Sequence, residues 1–308
     1  MVDMRACPTA EITVGELIEE FIEECHIQNL SPQSVDWYQH RLRLLFRESL
    51  GEQLSSLTLA RVKSTLLALL ETRQPTTVNG YIAAAKRLCN YAIDNDYAVT
   101  FSPRRLKKMK APQKLPPCFT VEQVEAMLRQ PDRSRFSGLR DYTMMSLLLD
   151  VGIRLGELTG LELAALTIPY LTIQGKGSKQ RIVAMSDVMV KRLRTYLRVR
   201  QRAVADYDGE VTLLFPSRYG TKLSHRRVSD ILKGYGEKAG VRGVRVSAHT
   251  FRFTYTTMAV RAGMSLTSLQ TCLGHSTLAM TRHYAVVSDR DAFAEARACS
   301  PLAAMGKR

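Results

Sequence analysis

Phe101–Pro117 reads FSPRRLKKMKAPQKLPP, and how this stretch is understood decides the organisation of the whole chain. Pro103, Pro112, Pro116 and Pro117 stand in it, together with Arg104, Arg105, Lys107, Lys108, Lys110 and Lys114 and not one acidic residue. Proline has no amide hydrogen and fixes its own φ, so a regular helix cannot run through the second half. The composition predicts a basic, Pro-containing linker over 101–117 with a domain on each side. Such a run keeps a linker solvated, and it also suits a phosphate backbone. DNA contact by Arg104, Arg105, Lys107, Lys108 and Lys110 is the favoured reading, because both flanking regions are themselves rich in Lys and Arg.

Upstream, Thr13 and Glu16 have capping-box spacing ahead of Leu17, Ile18, Phe21 and Ile22. Ser31 and Pro32 then fit the cap and first turn of a second helix, in which Val35, Tyr38, Leu42 and Leu45 recur at helical spacing with Arg41 and Arg43 on other faces. A third helix is expected over Leu59–Leu70. A fourth runs from about Thr77 to Ile93, with Tyr81, Ala84, Ala85, Leu88 and Ala92 on one face and Lys86 and Arg87 interleaved. Residues 1–100 thus form a helical domain.

Downstream, Thr120 and Gln123 repeat the capping-box spacing before Val124 and Leu128. The region is mainly helical, with segments over Val188–Arg202, His225–Ala239, His249–Ala262 and Ser265–Cys272. Ile168–Met185 is the exception. There Tyr170, Leu171, Thr172 and Ile173 precede Gly175, Lys176, Gly177, Ser178 and Lys179, and Ile182 and Val183 follow. This pattern predicts a β-hairpin with a Lys-bearing turn. The fold class expected is mainly α with a small β-hairpin or sheet in the second domain, which covers 118–287 and leaves a tail over 288–308.

With 44 Lys plus Arg against 29 Asp plus Glu, the formal charge of +15 favours a polyanionic partner through phosphate neutralisation and counterion release. A solvated basic surface explains the same number, so charge alone does not decide. Cys7, Cys25, Cys89, Cys118, Cys272 and Cys299 are scattered without a C-x-x-C pair and read as reduced thiols, mostly core. The N-terminal sequence lacks the basic-then-apolar order of a secretion signal, and no stretch reaches the ~18 apolar residues of a membrane span. A cytoplasmic protein with no membrane partner is expected. Cys272, His275 and His283 do not complete a known ligand spacing, so neither metal nor other cofactor is expected.

Two arginines stand out: Arg154 in VGIRLGELTGL and Arg252 in AHTFRFTYTT, each in a largely uncharged stretch where a fixed charge needs a partner. Taken singly, an arginine in such a place is more often a structural ion-pair residue. Arginine nevertheless suits phosphate, since its planar fork bonds two oxygens and stays charged at physiological pH. His249 lies three residues before Arg252, on the same face of a helix. In LGHSTLAMTRHYA, His275 precedes Tyr284 by nine residues.

These stretches together resemble the tyrosine recombinases, or phage integrase family, with Xer recombinases and mobile-element integrases among the closer shapes. The blocks stand in family order: Gly152, Ile153, Arg154 and Glu157; then Gly175, Lys176, Gly177, Lys179 and Arg181; then His249 and Arg252; then Leu273, Gly274, His275, Thr281 and Tyr284. LFPSRYGTKLS, Leu214–Ser224, looks like the family's connector before the third block. Phe253 stands where many members have His, and VGI replaces the commoner Thr-Gly-Leu; neither removes a catalytic side chain.

The resemblance implies a C-shaped, two-domain clamp, with a helical core-binding domain joined to a catalytic domain that cuts and rejoins DNA without ATP or metal. Tyr284 would attack the scissile phosphate to give a 3′-phosphotyrosyl link and a free 5′-hydroxyl. Arg154 and Arg252 would hold the phosphate oxygens, with His249 and His275 completing the proton-transfer set. Lys176 would protonate the leaving oxygen, with Lys179 as its substitute. Glu157 would orient Arg154, and Arg181 would bind DNA. The expected partner is double-stranded DNA carrying inverted core-site repeats, bound by a homotetramer on two duplexes with the C-terminal tail exchanged between subunits. The role implied is integration or excision of a mobile element, or resolution of DNA multimers. A type IB topoisomerase and a non-enzymatic regulatory or architectural DNA-binding protein are the alternatives.

Overall fold

The computed structural model describes residues 11–110, 117–175, 180–205, 207 and 209–274. The chain divides into two compact units, Met1–Gln113 and Lys114–Arg308.

The first unit is built on α1 (Val14–Ile27), α2 (Pro32–Leu45), α3 (Leu59–Thr72) and α4 (Pro75–Asp94). Helix starts are set locally. The Thr13 amide donates to Glu16 Oε2 (2.9 Å) and the Glu16 amide to Thr13 Oγ1 (3.2 Å), the reciprocal capping box expected from their spacing. Ser31 caps α2 by accepting from the Ser34 amide, with Pro32 in the first turn, where a missing N–H costs nothing. The apolar faces of these helices meet in one core around Leu17, Phe21, Leu42, Val78, Tyr81 and Leu88. Each such fully buried side chain contributes roughly 1.5–3 kcal/mol.

That core extends into the stretch expected to be linker. Phe101 and Leu106 are 6% and 2% exposed, and Pro103–Arg105 forms a single 3₁₀ turn between them. Asn79 on α4 clasps the next turn of chain, its Nδ2 donating to the Met109 carbonyl (3.0 Å) and its Oδ1 accepting from the Met109 amide (2.7 Å). Residues 101–109 therefore belong to the first unit. Phe101, Leu106 and Met109 turn inward while Arg104, Arg105, Lys107, Lys108 and Lys110 stay exposed.

The second unit contains α5 (Val121–Leu128), α6 (Phe136–Val151), α7 (Leu155–Thr159), α8 (Asp187–Ala203), α9 (His225–Lys238), α10 (Ala248–Arg261) and α11 (Leu266–Leu273). The expected hairpin is present as β2 (Tyr170–Gln174) and β3 (Gln180–Ala184), paired antiparallel with Leu171 opposite Val183 and Ile173 opposite Arg181. A two-residue strand, β1 (Leu166–Thr167), adds to β2 and makes the sheet three-stranded. The hairpin turn at 176–179 lies outside the described residues.

Helix α6 is the centre of this unit, packed between α8 and α10. Its buried residues include Leu139, Met144, Met145, Leu147 and Leu148, and also Arg140, Asp141, Thr143 and Ser146. Burial of polar groups is tolerated because each is bonded. Arg140 donates to Asp141 Oδ1 through Nε (3.0 Å) and Nη2 (2.8 Å) and to the Pro216 carbonyl through Nη1 (2.9 Å), while Thr143 and Ser146 donate to the carbonyls four residues back.

The start of α6 is pressed against the turn before it. A Cβ placed on Gly138 would lie 2.0 Å from the Asp132 carbonyl oxygen, a backbone atom that cannot swing aside. Gly138→Ala is expected to destabilise the second unit by about 1–3 kcal/mol. Hydrogen exchange should show faster opening of α6 amides and unchanged protection of α1 and α4; equal protection of α6 in both proteins would refute the contact.

Candidate active site

The turn from α6 to α7 places the first candidate residue. Gly152 ends α6 in the left-handed region (φ +61°), Ile153 is fully buried, and Arg154 then stands at the N-cap of α7. Gly152 is required on two grounds: its φ, and the Tyr255 ring, whose Cδ1 would lie 2.4 Å from any Cβ. The buried Ile153 pins the turn, so Arg154 is held at the surface with its side chain 42% exposed.

Arg252 lies one turn into α10, after Ser247 caps the helix by accepting from the Thr250 amide (3.2 Å). It is 3% exposed, donating through Nη1 to the Gly152 carbonyl (2.6 Å) and through Nη2 to the Leu273 carbonyl (2.8 Å). Arg252 thus clasps the end of α6 to the end of α11. His249, one turn earlier on the same face, remains exposed, with its ring edge-on to Phe253 at a centroid separation of 4.3 Å. Loss of water on that side and the neighbouring Arg252 charge hold the imidazole below its ordinary value, so it is neutral at pH 7 and can accept or donate a proton.

Glu157 joins the arginines. Its Oε1 accepts from Arg154 Nη1 (2.9 Å) and Arg181 Nη1 (2.8 Å), and its Oε2 accepts from the Arg154 amide (2.8 Å) and Arg181 Nη2 (2.7 Å). Burial alone would push this carboxyl up. The Arg181 hydrogen bonds, the Arg154 amide, the Arg181 charge and the Arg154 side-chain hydrogen bond together outweigh burial and bring it to about 2. The expectation that Glu157 supports Arg154 thus has a geometric basis.

Arg181 stands differently from its expected place on DNA. Its side chain is 10% exposed, and besides Glu157 it reaches the Cys272 carbonyl through Nε (2.9 Å). Strand alternation carries the signal for this: Arg181 shares the face of buried Val183, while Ile182 between them points outward at 64% exposure. Arg104, Arg105, Lys107, Lys108 and Lys110 are exposed on the first unit. Lys176, Lys179, His275, Tyr284 and the tail over 288–308 lie outside the described residues. Among the described residues no group of side chains could hold a metal ion, and no helix is long and apolar enough to cross a membrane.

Arg154, Arg181 and Arg252 all reach the end of α11, where the chain leads directly into His275, and His249 lies one turn before Arg252 on α10. Residues 117–290 match the model of the phage integrase family. Over 239 residues the chain is 32% identical to the tyrosine recombinase XerC of Chlamydia muridarum, covering 76% of this chain and 75% of that protein. Over 211 residues it is 33% identical to the tyrosine recombinase XerD of Staphylococcus aureus (strain N315), covering 68% of this chain and 70% of the relative. Among solved structures, the Tn1549 transposon integrase in complex with transposon right end DNA superposes with a TM-score of 0.74 at 21% identity, over 94% of this chain and 99% of that one.

Stability linked to Glu157 is present above its ordinary value of 4.5 and is lost as pH falls toward about 2. With a side chain only 8% exposed, the contribution is on the order of 3 kcal/mol. Glu157→Gln should therefore melt below the wild type at neutral pH, and the gap should close as pH falls from 4.5 toward 2. A gap that does not change with pH in that range would refute the shared ion pair.

Proposed function

Since the chain belongs to the phage integrase family and is a site-specific tyrosine recombinase, we propose that it cuts and rejoins DNA through a 3′-phosphotyrosyl intermediate with Tyr284 as nucleophile. The observation that carries this reading is the convergence of Arg154 and Arg252 on the carbonyls that end α11, the helix whose chain continues to His275 and Tyr284.

Phosphoryl transfer at a DNA backbone needs charge placed where the non-bridging oxygens become more negative, and an acid for the leaving oxygen. Arg154, surface-held and fixed by Glu157, offers a pre-oriented fork for one phosphate oxygen. Arg252 sets the positive potential at the floor of the site, and a buried guanidinium is screened little by salt. Neutral His249 supports proton transfer on the attacking side with His275. Attack by the Tyr284 oxygen, whose proton passes to a histidine of the His249–His275 set, forms the P–O bond as the bond from phosphorus to the 5′-oxygen breaks, and Lys176 gives the 5′-oxygen a proton. Transfer to a second 5′-hydroxyl reverses these steps, so no external energy source is needed.

Strand exchange between two duplexes needs four such centres. We assign this chain a homotetramer on short core sites with inverted repeats, in which the segment after Ser288 docks on a neighbouring subunit. The cellular role is movement of a mobile element or resolution of DNA multimers. The exposed Arg104, Arg105, Lys107, Lys108 and Lys110 supply non-specific phosphate contacts to the same duplex.

On a nicked duplex containing the recombination site, wild type should accumulate a covalent protein–DNA adduct that is absent from Tyr284→Phe, with binding affinity nearly equal in the two. Adduct formation by Tyr284→Phe, or none by wild type on a site it demonstrably binds, would overturn the assignment. Deleting the residues after Ser288 should weaken cooperative assembly on paired sites and spare monomer binding; unchanged assembly would refute the exchange.

A further inference from the structure

We propose that Arg181 is a positioning residue for strand cleavage, acting through Glu157 and the last turn of α11 rather than through DNA; the proposal rests on the phosphotyrosyl reading above.

All three guanidinium nitrogens of Arg181 donate within the protein: Nη1 and Nη2 to the two oxygens of Glu157 at 2.8 and 2.7 Å, and Nε to the Cys272 carbonyl at 2.9 Å. This is the bidentate arrangement that gives arginine pairs their directionality. The same carboxylate holds the side chain and the amide of Arg154. Arg181 therefore determines where Glu157 sits, and Glu157 determines where the half-exposed Arg154 points. Without Arg181, a carboxylate that is 8% exposed keeps Arg154 as its remaining cation in this cluster and draws it inward, away from a phosphate.

The second link is to α11. Three successive carbonyls at its end, Cys272, Leu273 and Gly274, accept from three different arginines, Arg181, Arg252 and Arg154, the last through a long 3.5 Å contact. A helix C-terminus has unpaired carbonyls and a partial negative charge, so guanidinium groups bind it well. Gly274 turns left-handed here (φ +62°), and a Cβ on it would lie 3.0 Å from Arg181 Cδ. The backbone next to His275 is thus packed on the Arg181 side chain. Because Arg181 sits on β3, it fixes in one place the strand that follows Lys176, the carboxylate that aims Arg154, and the helix end that leads to His275 and Tyr284.

The test uses the full chain on a nicked duplex at saturating protein, comparing Arg181→Gln, Arg181→Lys, Glu157→Gln and the double variant Arg181→Gln/Glu157→Gln. Arg181→Gln should slow adduct formation by about 10–100-fold, as a misplacement near 1 Å would, while Kd changes by less than about 3-fold and its salt dependence keeps the same slope. Arg181→Lys should not rescue, because an ammonium cannot bond both carboxylate oxygens and the carbonyl in one fixed geometry. The double variant should be no more than about 3-fold slower than the slower single variant, since both act on one link. A Kd loss with a salt slope smaller by about one would identify a phosphate contact and overturn the proposal. So would multiplicative rate losses in the double variant, or full rescue by lysine. Should Arg181→Gln fail to melt cooperatively, Arg181→Lys combined with Glu157→Gln decides by the same criteria. A wild type without adduct overturns both this proposal and the phosphotyrosyl reading; an adduct-forming wild type with independent losses overturns this one alone.

Discussion

A guanidinium 3% exposed has left water and must find acceptors in the protein, and Arg252 finds them at two helix ends, the Gly152 carbonyl after α6 and the Leu273 carbonyl at the end of α11. This constraint organises the second unit. Arg252 itself rides on α10, so one side chain ties α6, α10 and α11 together at the point where their chain ends meet. Carbonyls at helix termini lack partners within their own helix, so a buried cation there satisfies groups that would otherwise be orphaned. The local backbone is shaped to allow it: Gly152 and Gly274 both turn left-handed, one after each helix.

Glu157 then couples this clasp to the surface. The buried carboxylate is stable as an anion because Arg154, through its amide and its side chain, and Arg181 both bond it, one from the α6–α7 turn and one from the sheet. Loss of either cation would leave the other charges poorly compensated in a region of low effective dielectric. Arg154 is thereby both accessible to solvent and held by an ion pair. A phosphate-binding side chain needs both properties, since a floppy surface arginine loses conformational entropy on binding.

Much of this was legible in the sequence. The capping boxes at Thr13 and Thr120, the Ser31–Pro32 start and the helical periodicities gave α1 to α5 within a few residues, because each of those helices presents one apolar face to the core of its own unit. Helix α6 escaped the periodicity reading for the opposite reason: it is buried on several sides, so Leu139, Met144 and Leu148 do not stand out from Arg140, Asp141 and Thr143. Residues 101–109 read as linker in the sequence because the Lys and Arg density masks Phe101, Leu106 and Met109, which pack with the first core. In the site, ordered blocks singled out Arg154, Glu157, His249 and Arg252, but the inward turn of Arg181 depends on which face of β3 is covered. Alternation with Val183 carried that information and the adjacent lysines obscured it.

The net charge of +15 therefore overstates what faces a polyanion. Arg140, Arg181, Arg200 and Arg252 are each bonded to backbone carbonyls of irregular segments or of helix ends: Pro216 for Arg140, Cys272 for Arg181, Val211, Leu213 and Leu214 for Arg200, and Gly152 and Leu273 for Arg252. These arginines act as clamps on loops and helix ends, whose carbonyls have few backbone partners of their own. Arginine suits the task where lysine does not, since its donors lie in a rigid plane, its charge is not lost on burial, and it is weakly hydrated. The same physical properties that let arginine hold a phosphate let it hold a loop. Exposure separates the two uses: Arg154 keeps a face to solvent and Arg181 does not, although the two share one carboxylate.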